Sequence, residues 1–295
     1  MRASRLALFA LLPLLLGAGP APKTPLEAWK AGIASQNEAY ARRPHAMLKI
    51  QDSVYLRDGE TAVLEGRKGV ASSWRWRKTA DAKGPLRIAL KDGRLTVTRD
   101  GKPVTAAALQ KSVVVDAGVD IAGQPTQVDA GVEGWRIFLF NQNHPEARAF
   151  KGVSYFPYDP AFRVTARFAA NPKLPPRVFK TSMGTNKQFH HAGDALFRLK
   201  DKEVRLPLYT SGATARTATD LSAFFTDEMT NQGAYGAGRY LDAEPFGAFP
   251  PKTVTLDFNN AYNPNCARSP HFTCPLAVDE VPVAVRAGER DPGKH

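Results

Sequence analysis

The chain has 295 residues, of which 43% are hydrophobic and 23% are charged, as in an ordinary globular protein. It has no internal repeat or low-complexity tract, which excludes repeat arrays and extended disordered chains. The formal net charge is +12, and the length allows one large domain or two smaller ones, each with a core of its own.

The N-terminus has the pattern of a secretory signal. Arg2 and Arg5 precede an apolar run over Leu6–Leu16, and small residues follow it. The run is shorter than the ~20 residues that a membrane-spanning helix needs. We therefore predict a signal peptide over residues 1–22 and a periplasmic or secreted protein. An uncleaved anchor is the alternative.

An N-terminal helix is predicted over residues 23–45. Thr24 suits the N-cap position, Pro25 the first helical position, and Glu27 completes a capping box. Trp29 lies on the apolar side of this helix, which we expect to pack on the domain.

Residues 46–145 are predicted to form a basic β subdomain. Residues 73–77 alternate tryptophan with arginine, as in a half-buried strand, and residues 86–98 form a hairpin around an Asp-Gly turn. Between residues 62 and 103 there are eleven Lys and Arg against four acids. This face predicts contact with an anionic envelope polymer or a membrane surface. Because Trp74 and Trp76 point away from the arginines, no nucleic-acid site is predicted. A solvated face without a partner is the alternative.

A second β subdomain is predicted over residues 146–289, followed by a tail over 290–295. Short strands recur here without a helical pattern between them, and residues 184–194 are interpreted as a polar loop. The predicted fold is mainly β: an N-terminal helix and then two β-rich subdomains, each a sandwich or a partly open barrel.

Three consecutive segments of the second subdomain are distinctive. They are Tyr-Gly-Ala-Gly-Arg-Tyr-Leu at 235–241, Leu-Asp-Phe-Asn-Asn-Ala-Tyr-Asn-Pro-Asn-Cys at 256–266 and Cys-Pro-Leu at 274–276. In this order they closely resemble the bacterial family known as domain of unknown function 1684 (DUF1684). The resemblance implies a mostly β bacterial protein and supplies no reaction, cofactor or catalytic residue.

The same segments predict a polar pocket. Strand alternation places Leu256 and Phe258 toward the core, with Asp257 and Asn259 on the other face. In this hypothesis Arg239 binds an anionic group and Asp257 accepts hydrogen bonds. The full set of candidate ligand-binding residues is Arg239, Tyr240, Asp257, Asn259, Tyr262 and Asn263. The alternative is structural: an Arg239–Asp257 ion pair that locks the segment, with the Asn263 side chain closing its own turn.

Two cysteines, Cys266 and Cys274, lie eight positions apart. In an oxidising compartment such a pair is expected to form a disulfide. Free thiols, or a metal site that also uses His271, are the alternatives. No fourth ligand stands at zinc-site spacing, so neither a metal nor a cofactor is predicted.

Three functions are therefore open. The leading hypothesis is a protein that binds a small molecule or an envelope polymer in the C-terminal pocket. The second is a hydrolase in which Asp257 acts as general base and Arg239 stabilises negative charge. The third is a purely structural envelope protein. The common hydrolase and nucleotide-binding motifs are absent from the sequence, and no catalytic residue is identified.

Overall fold

The computed structural model describes residues 24–79 and 84–293, in which β-strands predominate. The mainly β prediction is confirmed. The predicted signal peptide lies outside the described residues. None of the helices in the described ranges has both the length and the apolar character needed to cross a bilayer. The chain divides into two compact units, each described below by itself.

The first helix begins as its sequence predicts. The Thr24 hydroxyl accepts a hydrogen bond from the Glu27 amide at 3.2 Å, and the Glu27 carboxylate accepts one from the Thr24 amide at 3.0 Å. These reciprocal bonds form the predicted capping box. The α-helix, α1, spans Pro25–Asn37, and a π-helical turn over Glu38–Arg42 follows it.

One unit, which we call the basic unit, comprises Ser35–Lys151 and Ser269–Phe272. It contains two antiparallel sheets, ordered β1-β9-β8-β7 and β3-β2-β4-β5-β6. Their strands are β1 Ile50–Leu56, β2 Thr61–Glu65, β3 Arg75–Lys78, β4 Leu86–Lys91, β5 Arg94–Arg99, β6 Lys102–Val104, β7 Val113–Asp116, β8 Val119–Asp129 and β9 Val132–Asn141. The unit also contains two short α-helices, α2 Ala106–Lys111 and α3 Pro145–Ala149.

Local sequence signals in the basic unit were correct. Strands β4 and β5 form the predicted hairpin, and its turn residues Asp92 and Gly93 have φ of 50° and 70°. Trp74 is buried while Arg75 and Arg77 are exposed, as the alternation predicts. Arg77 is also paired with Glu65 across the sheet, so part of the basic face is neutralised within the unit.

The other unit, which we call the motif unit, comprises the chain through Ala34, Gly152–Arg268 and the chain from Thr273. Its eight-stranded sheet has the order β15-β14-β13-β12-β10-β16, with β11 paired to β12 and β17 paired in parallel to β14. The strands are β10 Arg163–Ala170, β11 Pro176–Lys180, β12 Asn186–Leu199, β13 Lys202–Thr210, β14 Ser222–Asp227, β15 Arg239–Asp242, β16 Thr253–Asp257 and β17 Asp279–Val281. Its core is a large apolar cluster that includes Phe225, Leu256 and Phe258.

The loop interpretation of residues 184–194 was wrong. Most of this segment belongs to β12, where residues 186–190 pair with β11. A bulge between His191 and Gly193 lets the strand continue into its pairing with β13. The polar composition reflects a half-buried strand, since His190 and His191 are both partly covered.

Candidate functional site

Arg239 lies in the interior of the motif unit, with 1% of its surface exposed. Its guanidinium forms an ion pair with Asp227 and donates to the main-chain carbonyls of Ala287 and Val285. Phe225 packs against the guanidinium, at 5.5 Å from the ring centre. The predicted Arg239–Asp257 pair was therefore wrong. The reason is strand register: Arg239 is paired with Phe225 on β14, and Asp227 ends that same strand.

The side chains of Tyr240 and Tyr262 each form a hydrogen bond to another segment of the motif unit. The Tyr240 hydroxyl donates to the Pro275 carbonyl, and burial raises the pKa of this tyrosine well above its ordinary value. The Tyr262 hydroxyl donates to the Asp242 carboxylate at 3.1 Å. Both tyrosines serve to hold neighbouring segments together.

Asn263 contacts a buried ion pair, Arg268–Glu289, that was not predicted from the sequence. Its side chain donates to the Arg290 carbonyl at 2.8 Å, and its amide donates to the Glu289 carboxylate at 3.2 Å. Arg268 donates to the same Glu289 carboxylate, also at 3.2 Å, and the Glu289 residue has no solvent exposure. We call this set the C-terminal lock: Asp227, Arg239, Asn263, Arg268 and Glu289.

Asp257 and Asn259 lie at the end of β16 and are not part of the C-terminal lock. Strand β16 ends at Asp257, and the chain then turns through a 3-10 helix over Phe258–Asn260. Leu256 and Phe258 lie in the core as predicted, but Asn259 is buried as well because the strand does not continue. Its side chain donates to the carbonyl of Asp159 at 2.8 Å and accepts from the amide of the same residue at 2.9 Å.

Asp257 lines a cavity of about 350 Å³ within the motif unit. Its Oδ1 atom caps the 3-10 turn by accepting from the Asn259 amide at 3.0 Å, while its Oδ2 atom accepts from the Asn260 side chain at 3.3 Å. Arg163 stands opposite Asp257 on β10. The full lining is Pro25, Ala28, Trp29, Arg163, Glu244, Asp257 and Asn260. Of the six predicted ligand-binding residues, Asp257 is the one in this lining.

Helix α1 contributes one wall of the cavity through Trp29. Its indole N–H donates to the Asn259 carbonyl at 2.8 Å. Its ring contacts Tyr155 edge-on, with centroids 5.7 Å apart, and Tyr158 at 5.5 Å. These contacts fix the helix on the motif unit, as predicted for its Trp29 side. The side chain is only half-buried and lines the cavity.

The cavity carries net negative charge. Arg163 makes two hydrogen bonds to Glu244, at 2.9 and 2.7 Å, so these two charges neutralise each other. The remaining charged lining residue is the Asp257 carboxylate. The lining therefore offers acceptors and an aromatic side chain to a ligand, whereas the predicted anion-binding arginine, Arg239, is enclosed in the lock.

The glycine-rich turn before β15 is sterically demanding at Gly238. This residue has a φ of +86°, and an added Cβ would lie 2.4 Å from the Ala277 side chain and 2.7 Å from the Phe225 carbonyl oxygen. We expect Gly238→Ala to lower the free energy of unfolding by about 2–4 kcal/mol, combining left-handed strain with overpacking. Gly184, with a φ of +73° and open space at its Cβ, is the matched control.

Gly184→Ala carries the backbone strain alone, about 1–2 kcal/mol. Chemical denaturation of both variants checks the difference. Equal losses in the two variants would show that the short contacts at the Gly238 Cβ position add nothing to the destabilisation.

No bond joins the two cysteine sulfurs in the structure. They are adjacent, since the Cys266 amide donates to the Cys274 sulfur at 3.3 Å. The disulfide stays a prediction. Among the residues that the structure describes, no group of three or more His, Cys, Asp and Glu side chains could hold a metal. His271 belongs to the basic unit, where its backbone carbonyl accepts from the Tyr55 hydroxyl at 2.9 Å.

Comparison with known proteins finds a family and no activity. Residues 148–290 match the model of a family described as protein of unknown function, DUF1684. An uncharacterized protein of Haloarcula marismortui, solved by solution NMR, is 34% identical over 51% of this chain and 83% of its own, with a TM-score of 0.42. No curated protein matches the chain.

Proposed function

We propose that this chain, which belongs to the DUF1684 family through its C-terminal half, binds a small ligand in the Asp257 cavity. The family description names no activity, so the proposal rests on the geometry of the chain itself. The ligand is uncharged or cationic and rich in hydroxyl or amine donors. A saccharide unit of the cell envelope is the first candidate.

The observation that supports this proposal most is the composition of the cavity lining. A volume of about 350 Å³ suits a small ligand. The Asp257 and Asn260 side chains supply polar groups, and Trp29 supplies an aromatic surface of the kind that packs against apolar ligand faces. The net negative charge favours hydrogen-bond donors and disfavours the anionic ligand predicted at Arg239.

The hydrolase hypothesis has less support. It requires Asp257 and Arg239 to act on one reacting group, whereas Arg239 is 1% exposed and does not line the cavity. The structural hypothesis accounts for the lock, and it leaves the cavity without a role.

Export to the periplasm or beyond is part of the proposal, and it is supported by the signal pattern at residues 1–22. The predicted contact between the basic subdomain and a membrane surface or an anionic polymer stays a prediction. The exposed Arg75 side chain on β3 is consistent with it, whereas Arg77 is paired with Glu65.

Melting of the full chain with a panel of envelope saccharides and amines tests the binding site. A ligand at 100 times its dissociation constant should stabilise the wild type by ~2.7 kcal/mol. We expect Asp257→Asn to remove this shift, because it removes the charge but keeps an Oδ1 acceptor for the 3-10 turn.

The control is Asp242→Asn. It alters a carboxylate that contacts Tyr262 and does not line the cavity. This variant should keep the ligand shift. A shift that persists in Asp257→Asn and disappears in Asp242→Asn would contradict the proposal and place binding near Tyr262.

A further inference from the structure

The sulfur of Cys266 lies in a cluster of hydrogen-bond donors inside the motif unit. The Cys274 thiol and the Ser182 hydroxyl both donate to it. The main-chain amide of Ala267 adds a further donor. Ser182 is held in place by the Cys274 amide, which donates to its hydroxyl oxygen at 3.3 Å. Such a cluster stabilises a thiolate more than a thiol.

The acidity of the site agrees with this geometry. The hydrogen bond from Cys274 lowers the pKa of Cys266 to about 7, although burial acts in the opposite direction. Tyr235 also hydrogen-bonds Cys266, and burial together with the neighbouring cysteines raises the pKa of this tyrosine to about 12. Tyr235 therefore stays protonated at neutral pH and remains able to donate to the thiolate.

The two cysteines differ in accessibility. Cys266 is partly exposed, whereas Cys274 is buried with 7% exposure. Cys266 is therefore the more accessible of the two residues. A partly exposed acidic thiol next to a buried one is the arrangement of an attacking and a resolving cysteine in thiol–disulfide exchange.

We propose that Cys266 and Cys274 form a thiol–disulfide exchange site, in which Cys266 attacks a small or exposed disulfide and Cys274 resolves the product. The Cys266 thiolate forms a bond to one sulfur of the substrate disulfide, and the other sulfur leaves as a thiolate that takes up a proton. Cys274 then loses its proton and attacks the Cys266 sulfur, which releases the second substrate thiol. Two electrons pass from the pair to the substrate, and the protein is left with a Cys266–Cys274 disulfide.

This inference goes beyond the proposed ligand binding and does not depend on it. Neither cysteine lines the Asp257 cavity. In this proposal the predicted Cys266–Cys274 disulfide is one of two redox states of the site and not a permanent cross-link.

The first test is alkylation of the reduced full chain with iodoacetamide at a series of pH values. These are the only two cysteines of the chain, and Arg268 lies between them, so trypsin gives separate peptides for mass spectrometry. We expect the Cys266 rate to rise with a midpoint at about pH 7. Ser182→Ala and Cys274→Ser should move the midpoint toward the ordinary cysteine value of ~8.5.

Tyr209→Phe is the control, because Tyr209 is a buried tyrosine whose hydroxyl donates to Asp279 and not to a cysteine. It should leave the midpoint unchanged. A wild-type midpoint at or above ~8.5, or a Cys266 that is alkylated only after unfolding, would overturn the proposal.

The second test is incubation with oxidised and reduced glutathione. Wild type should interconvert between dithiol and disulfide as the glutathione ratio changes. Cys274→Ser should accumulate a mixed disulfide with glutathione at Cys266, and Cys266→Ser should not form one at Cys274. A wild-type disulfide that glutathione reduces only in denaturant, or a Cys274→Ser variant without the mixed disulfide, would identify a structural staple and overturn the exchange site.

Discussion

Replacing Arg239 by methionine should lower the free energy of unfolding by about 3–5 kcal/mol, because it leaves a buried charge without its partner. The exposed fractions of the Arg239 and Asp227 side chains are both 1%, so water cannot replace the lost interaction. The carbonyls of Ala287 and Val285 would lose a donor in the same substitution. Leaving buried acceptors unsatisfied adds to the loss.

Chemical denaturation followed by far-ultraviolet circular dichroism gives the measurement. Arg198→Met is the matched control, because Arg198 pairs with Glu203 at 3.5 Å and both side chains are mostly exposed. An exposed pair of this kind contributes ~1 kcal/mol or less. If both variants lost the same small amount of unfolding free energy, the buried Arg239–Asp227 pair would stabilise the fold no more than an exposed ion pair does.

Replacing Glu289 by leucine should have the second large effect, again about 3–5 kcal/mol. The Glu289 carboxylate has no exposure and accepts hydrogen bonds from Asn263 and Arg268. Its removal leaves the Arg268 guanidinium, which is 7% exposed, without its carboxylate partner. The Asn263 amide loses its acceptor at the same time.

A double-mutant cycle separates the ion pair from the general loss of packing. In the Glu289→Leu, Arg268→Met double variant no unpaired charge remains, so its loss should be smaller than the sum of the two single losses. Urea denaturation of the four proteins measures this. Additive losses would mean that the two side chains do not stabilise one another.

The local structure could be predicted from the sequence because its causes are local. The capping box at Thr24 and Glu27 depends on residues three positions apart. The hairpin at Asp92 and Gly93 depends on two residues that accept positive φ. Both elements were located correctly.

The lock could not be predicted in the same way. The pairing of Arg239 with Asp227 depends on the register between β14 and β15, in which Arg239 faces Phe225. One signal was present: the two strands flank a short glycine-rich segment, as in a hairpin. Glu289 and Arg268 lie 21 positions apart without a shared motif, so no pattern indicated their contact.

The cavity was missed for a related reason. Trp29 reaches the Asn259 carbonyl across 230 positions of sequence. Asp257 was identified as a polar residue at the end of a strand, but its neighbours Arg163, Glu244 and Trp29 come from three other segments. Sequence patterning identified one residue of the site, and the long-range packing of α1, β10 and the other segments supplied the rest.

The motif segments thus have two structural consequences in the motif unit. Arg239 and Asn263 hold the C-terminal segment in place from the interior through their contacts with Ala287 and Glu289. Asp257 ends its strand at the cavity. We propose that the first group provides stability and that the cavity provides binding.

The most direct test of this division is an NMR titration of the four tryptophan indole N–H signals with the saccharide or amine that gives the largest melting shift. Trp29 lines the cavity, while Trp74, Trp76 and Trp135 belong to the basic unit and serve as internal controls. We expect the Trp29 signal to move with saturation and the other three signals to stay in place. Saturable binding that leaves the Trp29 signal unmoved would contradict binding in the Asp257 cavity.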